Sequence, residues 1–141
     1  MAYGEGWSLY AESLGEQLGL YTDPYSKFGQ QRMEIWRAAR LAVDTGIHAL
    51  GWSRQQAIDW MSERSGISSE IVTAEVDRYD VWPGQALGYK IGQLKIIELR
   101  ERARQALGER FDLRRFHMAA LDHGALPLNV LEQLSDEWIA A

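Results

Sequence analysis

The sequence predicts an all-α domain of about six to seven helices. Apolar residues recur at three- and four-residue intervals. No segment combines strict apolar–polar alternation with β-branched residues, and Gly, Pro and capping residues cut the chain into helix-length pieces.

Residues 5–20 place Trp7, Leu9, Leu14 and Leu18 at helical spacing, with Gly19 as the stop. The turn over Tyr21, Thr22, Asp23 and Pro24 leads into the longest periodic segment, 25–50, closed near Gly51. Ser53 and Gln56 have capping-box spacing and open a short helix to about Ser65, stopped by Gly66. Ser68 or Ser69 caps the next helix, to about Tyr79. Trp82, Pro83 and Gly84 break the chain before a long helix over 85–107, ended by Gly108. Asp112 caps a helix through His123, and Pro127 takes the first position of a last helix to Trp138.

The chain has 141 residues, of which 46% are hydrophobic, with six Trp and no Cys. That is one domain, able to bury roughly two-thirds of the surface its unfolded chain exposes. Without cysteine there is no disulfide framework and no thiolate zinc knuckle, which favours a cytoplasmic location. No apolar run approaches the ~20 residues that cross a bilayer, so no membrane partner is expected. A net charge of −5 argues against sequence-independent nucleic-acid binding. There is no His-Glu-x-x-His, no Gly-x-Ser-x-Gly and no phosphate-cradling glycine loop.

The second helix is the most informative. At ~100° per residue Met33, Trp36, Val43 and Ile47 form one apolar stripe. Arg40 and Asp44 fall inside or beside it, and Arg37 and His48 on its edge. The opposite side carries small residues, Ala38, Ala42, Thr45, Gly46 and Ala49, which predicts a helix surrounded by protein with its polar groups turned inward. Two readings stay open: an internal Arg40–Asp44 ion pair beside a hydrogen-bonded His48, or a row lining a substrate cleft. Glu5 and Glu12, two turns apart on the first helix, face one side; spacing allows either a metal or acid–base pair or plain solvated glutamates. His117 and His123 are about 240° apart on a helix and cannot share one ion, so they read as a packing and a helix-end histidine.

Three signatures carry a resemblance: EGWSLYAE over 5–12, RLAVDTGIHALGW over 40–52 and RYDVWPGQALGYKIG over 78–92. With FDLRRFHMAALDHGALPLNVLEQ further on, they resemble the C-terminal third of the bacterial family called domain of unknown function 885. Members are several hundred residues long and are similar to helical zinc metallopeptidases of the His-Glu type. The resemblance implies that this chain is an incomplete C-terminal part of a larger helical metallopeptidase-like fold. It implies Glu5 as the third zinc ligand, with Glu12 supporting it from behind, and Tyr89 as the donor to a developing oxyanion. His48 is a further catalytic candidate, and Arg40, Asp44, Arg78, Tyr79 and Gln85 are substrate or cleft groups.

The family's His-Glu motif lies upstream of EGW, and this sequence does not contain it. The resemblance therefore implies zinc and a peptide substrate for the longer form only, with no zinc held and no peptidase activity by this chain alone. A secretion signal would lie on that upstream segment. The expected partners are a missing N-terminal half or further copies of the chain, because apolar faces would otherwise be left open. The alternative is a helical interaction module that uses those same faces.

Overall fold

The structure, a computed structural model, describes all residues from 1 to 141. It contains seven α-helices, one short 3₁₀ turn at Gly108–Arg110 and no strand. The helices are α1 (Ala2–Leu14), α2 (Pro24–Leu50), α3 (Arg54–Ser65), α4 (Ser69–Val81), α5 (Leu87–Leu107), α6 (Leu113–Leu121) and α7 (Leu128–Ala140).

Three of the expected caps form, while Ser68, at the N-cap of α4, makes no side-chain cap hydrogen bond. Asp23 accepts hydrogen bonds from the Tyr25 and Ser26 amides, with Pro24 opening α2. Ser53 accepts from the Gln56 amide and Asp112 from those of Arg114 and Arg115. At the end of α2, Gly51 takes the left-handed conformation and the chain turns back, so that Trp52 lies flat against Gly46. A Cβ at Gly46 would stand 2.4 Å from the Trp52 ring, which is why this position carries no side chain.

Two apolar clusters result. One, from α2, α3 and α4, centres on Trp36, Val43, Met61, Val72, Val76 and Tyr79. The other, from α1, α5, α6 and α7, centres on Tyr3, Tyr10, Ile96, Leu99, Phe116 and Leu131. Helix α5 joins them, since it packs against α1, α2, α6 and α7. The α1–α5 contact is close because its surface is glycine. A Cβ on Gly92 would lie 1.9 Å from the Ala2 carbonyl oxygen, and one on Gly6 would lie 2.3 Å from Gly92 Cα. Ala2 meets Gly88, Gly6 meets Gly92, and the Leu9 carbonyl accepts from Gln93, so α1 and α5 run parallel.

Several expected boundaries and faces shift. The first helix ends at Leu14 rather than near Gly19. Tyr21 folds back over Gly15 and donates its hydroxyl to the Glu12 carbonyl at 2.7 Å, and Leu18 is exposed instead of joining the core. Helix α6 stops at Leu121, leaving His123 outside it, and Pro127 precedes α7 instead of occupying its first position. Helix α5 starts at Leu87, after a turn over Trp82–Ala86. Helix α2 is not enclosed on all sides: Ala38, Thr45 and Ala49 are exposed, and so is Met33 within the apolar stripe.

Candidate functional site

An open cleft of about 440 Å³ lies between α2, α4 and the first turn of α5. Its walls are Met33, Trp36, Arg37 and Arg40 from α2, Ile67 and Ile71, Glu75 and Arg78 from α4, and Tyr89 from α5. Both the α2 and the α4 sides of the cleft therefore carry apolar residues together with guanidinium groups.

Arg40 is the centre of this arrangement. It is 6% exposed, and its guanidinium stands 4.4 Å from the centre of the Tyr89 ring and 5.5 Å from that of Tyr79. Its Nη2 donates to Gln85 Oε1 at 3.1 Å, while its Nε–H has no acceptor. The same Gln85 oxygen accepts from Arg78 Nη1 at 3.0 Å. One neutral amide oxygen thus holds two cations side by side.

Arg78 is itself balanced by Glu75, which receives its Nε and Nη2 at 3.2 and 2.7 Å. Tyr79, 1% exposed, donates its hydroxyl to the same carboxylate at 2.7 Å. Burial pushes the Glu75 pKa up, but the hydrogen bonds from Arg78 and Tyr79 and the nearby positive charge more than offset it, leaving it below its ordinary value. Burial, and then the bond to Glu75, hold the Tyr79 phenol well above its ordinary value, so it stays a donor. At the rim Arg37 lies 5.7 Å from the Tyr89 ring and 3.7 Å from Glu12.

The loop before α5 is fastened from below. Asp44, 2% exposed, accepts the Gly84 amide with both oxygens at 3.1 and 3.2 Å, and Gly84 has a positive φ of 80° that suits glycine. The internal Arg40–Asp44 pair allowed by the sequence does not form: Arg40 reaches Gln85 and Asp44 reaches Gly84, two neighbours in one turn. After Tyr89, Lys90 bonds Glu34 and Gln93, and Gln93 bonds the Leu9 carbonyl, which pins α5 to α1 and α2.

Arg40, Arg78 and Tyr89 thus meet in one cleft, with Gln85 and Tyr79 directly behind them. Asp44 supports the turn from outside the cleft wall. His48 is exposed, with Nε2 2.9 Å from the Tyr79 carbonyl; that contact makes Nε2 the protonated nitrogen and places the ring away from the lining residues. Glu5 is half-buried on the first turn of α1 and makes no side-chain hydrogen bond or ion pair. Glu12 engages Arg37 rather than Glu5.

Glu75, Ile67 and Ile71 were not legible in the sequence as lining residues, because their positions depend on how α4 meets α2. Nor was the partner of His117 legible. Nε2 of that ring lies 2.8 Å from the hydroxyl of the fully buried Tyr10, with Trp7 and Phe116 packed around it.

The fold recurs in solved structures. A protein from Colwellia psychrerythraea, provisionally described as a lipoprotein, is 49% identical to the chain, which it matches over 99% of its length with a TM-score of 0.96. A second, from Shewanella oneidensis, described in the same provisional way and of unknown function, is 26% identical over 94% of the chain with a TM-score of 0.88. The chain spans 24% of the length of each. No curated protein matches it. The family model of DUF885, bacterial proteins of unknown function, matches residues 1–134, and the chain belongs to that family.

Proposed function

We propose that the chain is the C-terminal part of a longer zinc-metallopeptidase-like protein, to which it contributes a substrate-binding wall and one metal ligand. The observation that carries this reading is the cleft in which Arg37 and Arg40 stack on Tyr89. The Tyr89 hydroxyl makes no hydrogen bond within the chain; a free phenolic donor beside two guanidinium groups suits an oxygen that gains negative charge during a reaction. The chain's extent, a quarter of its solved relatives, supports a site completed by other residues.

A catalytic zinc takes three protein ligands and an open position. Of these the chain offers Glu5, and no three His, Asp or Glu side chains gather anywhere in it. Its own residues do not fit a zinc centre, and the chain alone is inactive in this reading. The provisional description of the two relatives as lipoproteins favours an exported longer protein over the cytoplasmic location first expected.

The test is peptide hydrolysis by the Colwellia relative carrying Tyr→Phe at the position that aligns with Tyr89. The expected result is a fall in kcat of about 100-fold with KM little changed. An unchanged kcat contradicts the assignment.

A second reading, an interaction module that self-associates, draws on exposed apolar residues. Tyr25 is 88% exposed, Phe28 64% and Ile35 49%, all on α2. Light scattering over a concentration series separates the two: mass that grows with concentration supports the module, and a constant monomer mass removes it.

A further inference from the structure

We propose that the arginine cleft binds a monoanionic carboxylate carried on an apolar body, and that it does so in this chain without the rest of the protein. This rests on reading the cleft as a substrate site, but it concerns binding and not cleavage.

The argument begins with charge. The cleft presents three guanidinium groups and one carboxylate. Glu75 balances Arg78, and Glu12 stands 3.7 Å from Arg37. Arg40 is only 6% exposed and makes no ion pair; Glu75 lies near enough to feel its charge but is bonded to Arg78 and Tyr79. Three guanidinium groups thus share two carboxylates, and a buried cation without an ion pair of its own is costly; the two aromatic faces and one amide oxygen beside Arg40 offset only part of that cost. The site therefore lacks one negative charge, which a carboxylate supplies and a dianionic phosphate overshoots.

Shape points the same way. Arg37 and Arg40 approach one ring, Tyr89, and neither uses all its donors: no N–H of Arg40 other than Nη2 has an acceptor, and Nε of Arg37 is likewise unpartnered. Planar forks of this kind pair with planar carboxylates. Met33 and Trp36, which precede them on α2, and Ile67 and Ile71 from the α4 side offer apolar surface in the same cleft for the rest of the ligand. The volume, about 440 Å³, lies within the range of small-molecule sites.

The experiment is calorimetric titration of this chain at low ionic strength with hippurate, with benzoyl-glycyl-glycyl-phenylalanine, with the C-terminal amide of each, and with inorganic phosphate. The two acids are expected to bind and their amides are not. A tighter tripeptide assigns the carboxylate to a peptide C-terminus, and equal affinities assign it to a small free acid. Arg37→Gln, at the cleft rim, and Arg40→Lys, which keeps the charge but not the fork, are each expected to weaken binding about ten-fold. Should Arg40→Lys fail to fold, Arg37→Gln decides alone.

The proposal is overturned if neither acid binds, if the amides or phosphate bind as tightly as the acids, or if Arg37→Gln leaves the affinity unchanged. Acid binding by this chain, with no hydrolysis by the longer Colwellia relative, would sink the peptidase reading and leave this one standing.

Discussion

The guanidinium of Arg40 lies 4.4 Å from the centre of the Tyr89 ring, closer than any other cation–ring pair in the molecule. The contact joins α2 to α5, two of the three helices that line the cleft. It holds a cation that makes no ion pair of its own, since the nearby Glu75 carboxylate is already engaged by Arg78 and Tyr79.

That position has a consequence for stability. Residues kept for binding often cost the fold something, and a buried unpaired charge is a clear instance. Arg40→Met keeps the length and the stacking surface and removes the charge. Urea denaturation is expected to show stability unchanged or raised by about 1 kcal/mol. A loss of about 3 kcal/mol would mean that the charge is already balanced within the chain.

The glycine contact between α1 and α5 makes the opposite prediction. Gly92→Ala forces a methyl group to within 1.9 Å of the Ala2 carbonyl oxygen, and both partners are backbone that cannot turn aside. A loss of about 3 kcal/mol or more is expected, read as a lower urea midpoint. Gly4→Ala is the control, since a Cβ there meets nothing within 4 Å. Equal effects of the two would contradict the close approach.

His117 gives a pH dependence. Burial, and then the charge of Arg100, lower its pKa from the ordinary 6.5. Between its folded value and 6.5 the unfolded chain holds the extra proton, so folding stability rises with pH there. Stability from this group is complete above pH 6.5 and is lost as pH falls through that window. A further loss sets in below pH 4.5, as Glu75 passes from its ordinary value to its lowered folded one. Thermal melting from pH 8 to pH 5 should show the first loss, and His117→Gln should flatten it. An equal slope in that variant would place the titration elsewhere.

Much of the fold was legible because caps and glycines are local signals. Asp23, Ser53 and Asp112 act on amides two or three residues away, so sequence alone located those helix starts. The end of α1 was not legible, because Tyr21 returning over Gly15 is a contact between segments. The polar row of α2 was visible as residues that turn inward, yet its pairing was not. Arg40 and Asp44 are neighbours on one helix face, and only the turn over Trp82–Ala86 offers each a different partner. Several signature residues explain themselves as architecture: Gly6 and Gly92 set the helix spacing, Gly46 seats Trp52, and Asp44 holds Gly84. Glu5 and the Tyr89 hydroxyl have no such structural use in the chain, and they are the two groups for which a role in a longer protein is proposed.

The most direct measurement is the zinc content of the Colwellia relative beside the same protein with Glu→Ala at the position aligning with Glu5. The account predicts about one zinc per chain in the unaltered protein and a loss of most of it in the variant, with the fold retained by circular dichroism. Zinc that is absent from the unaltered protein, or undiminished in the variant, would contradict it.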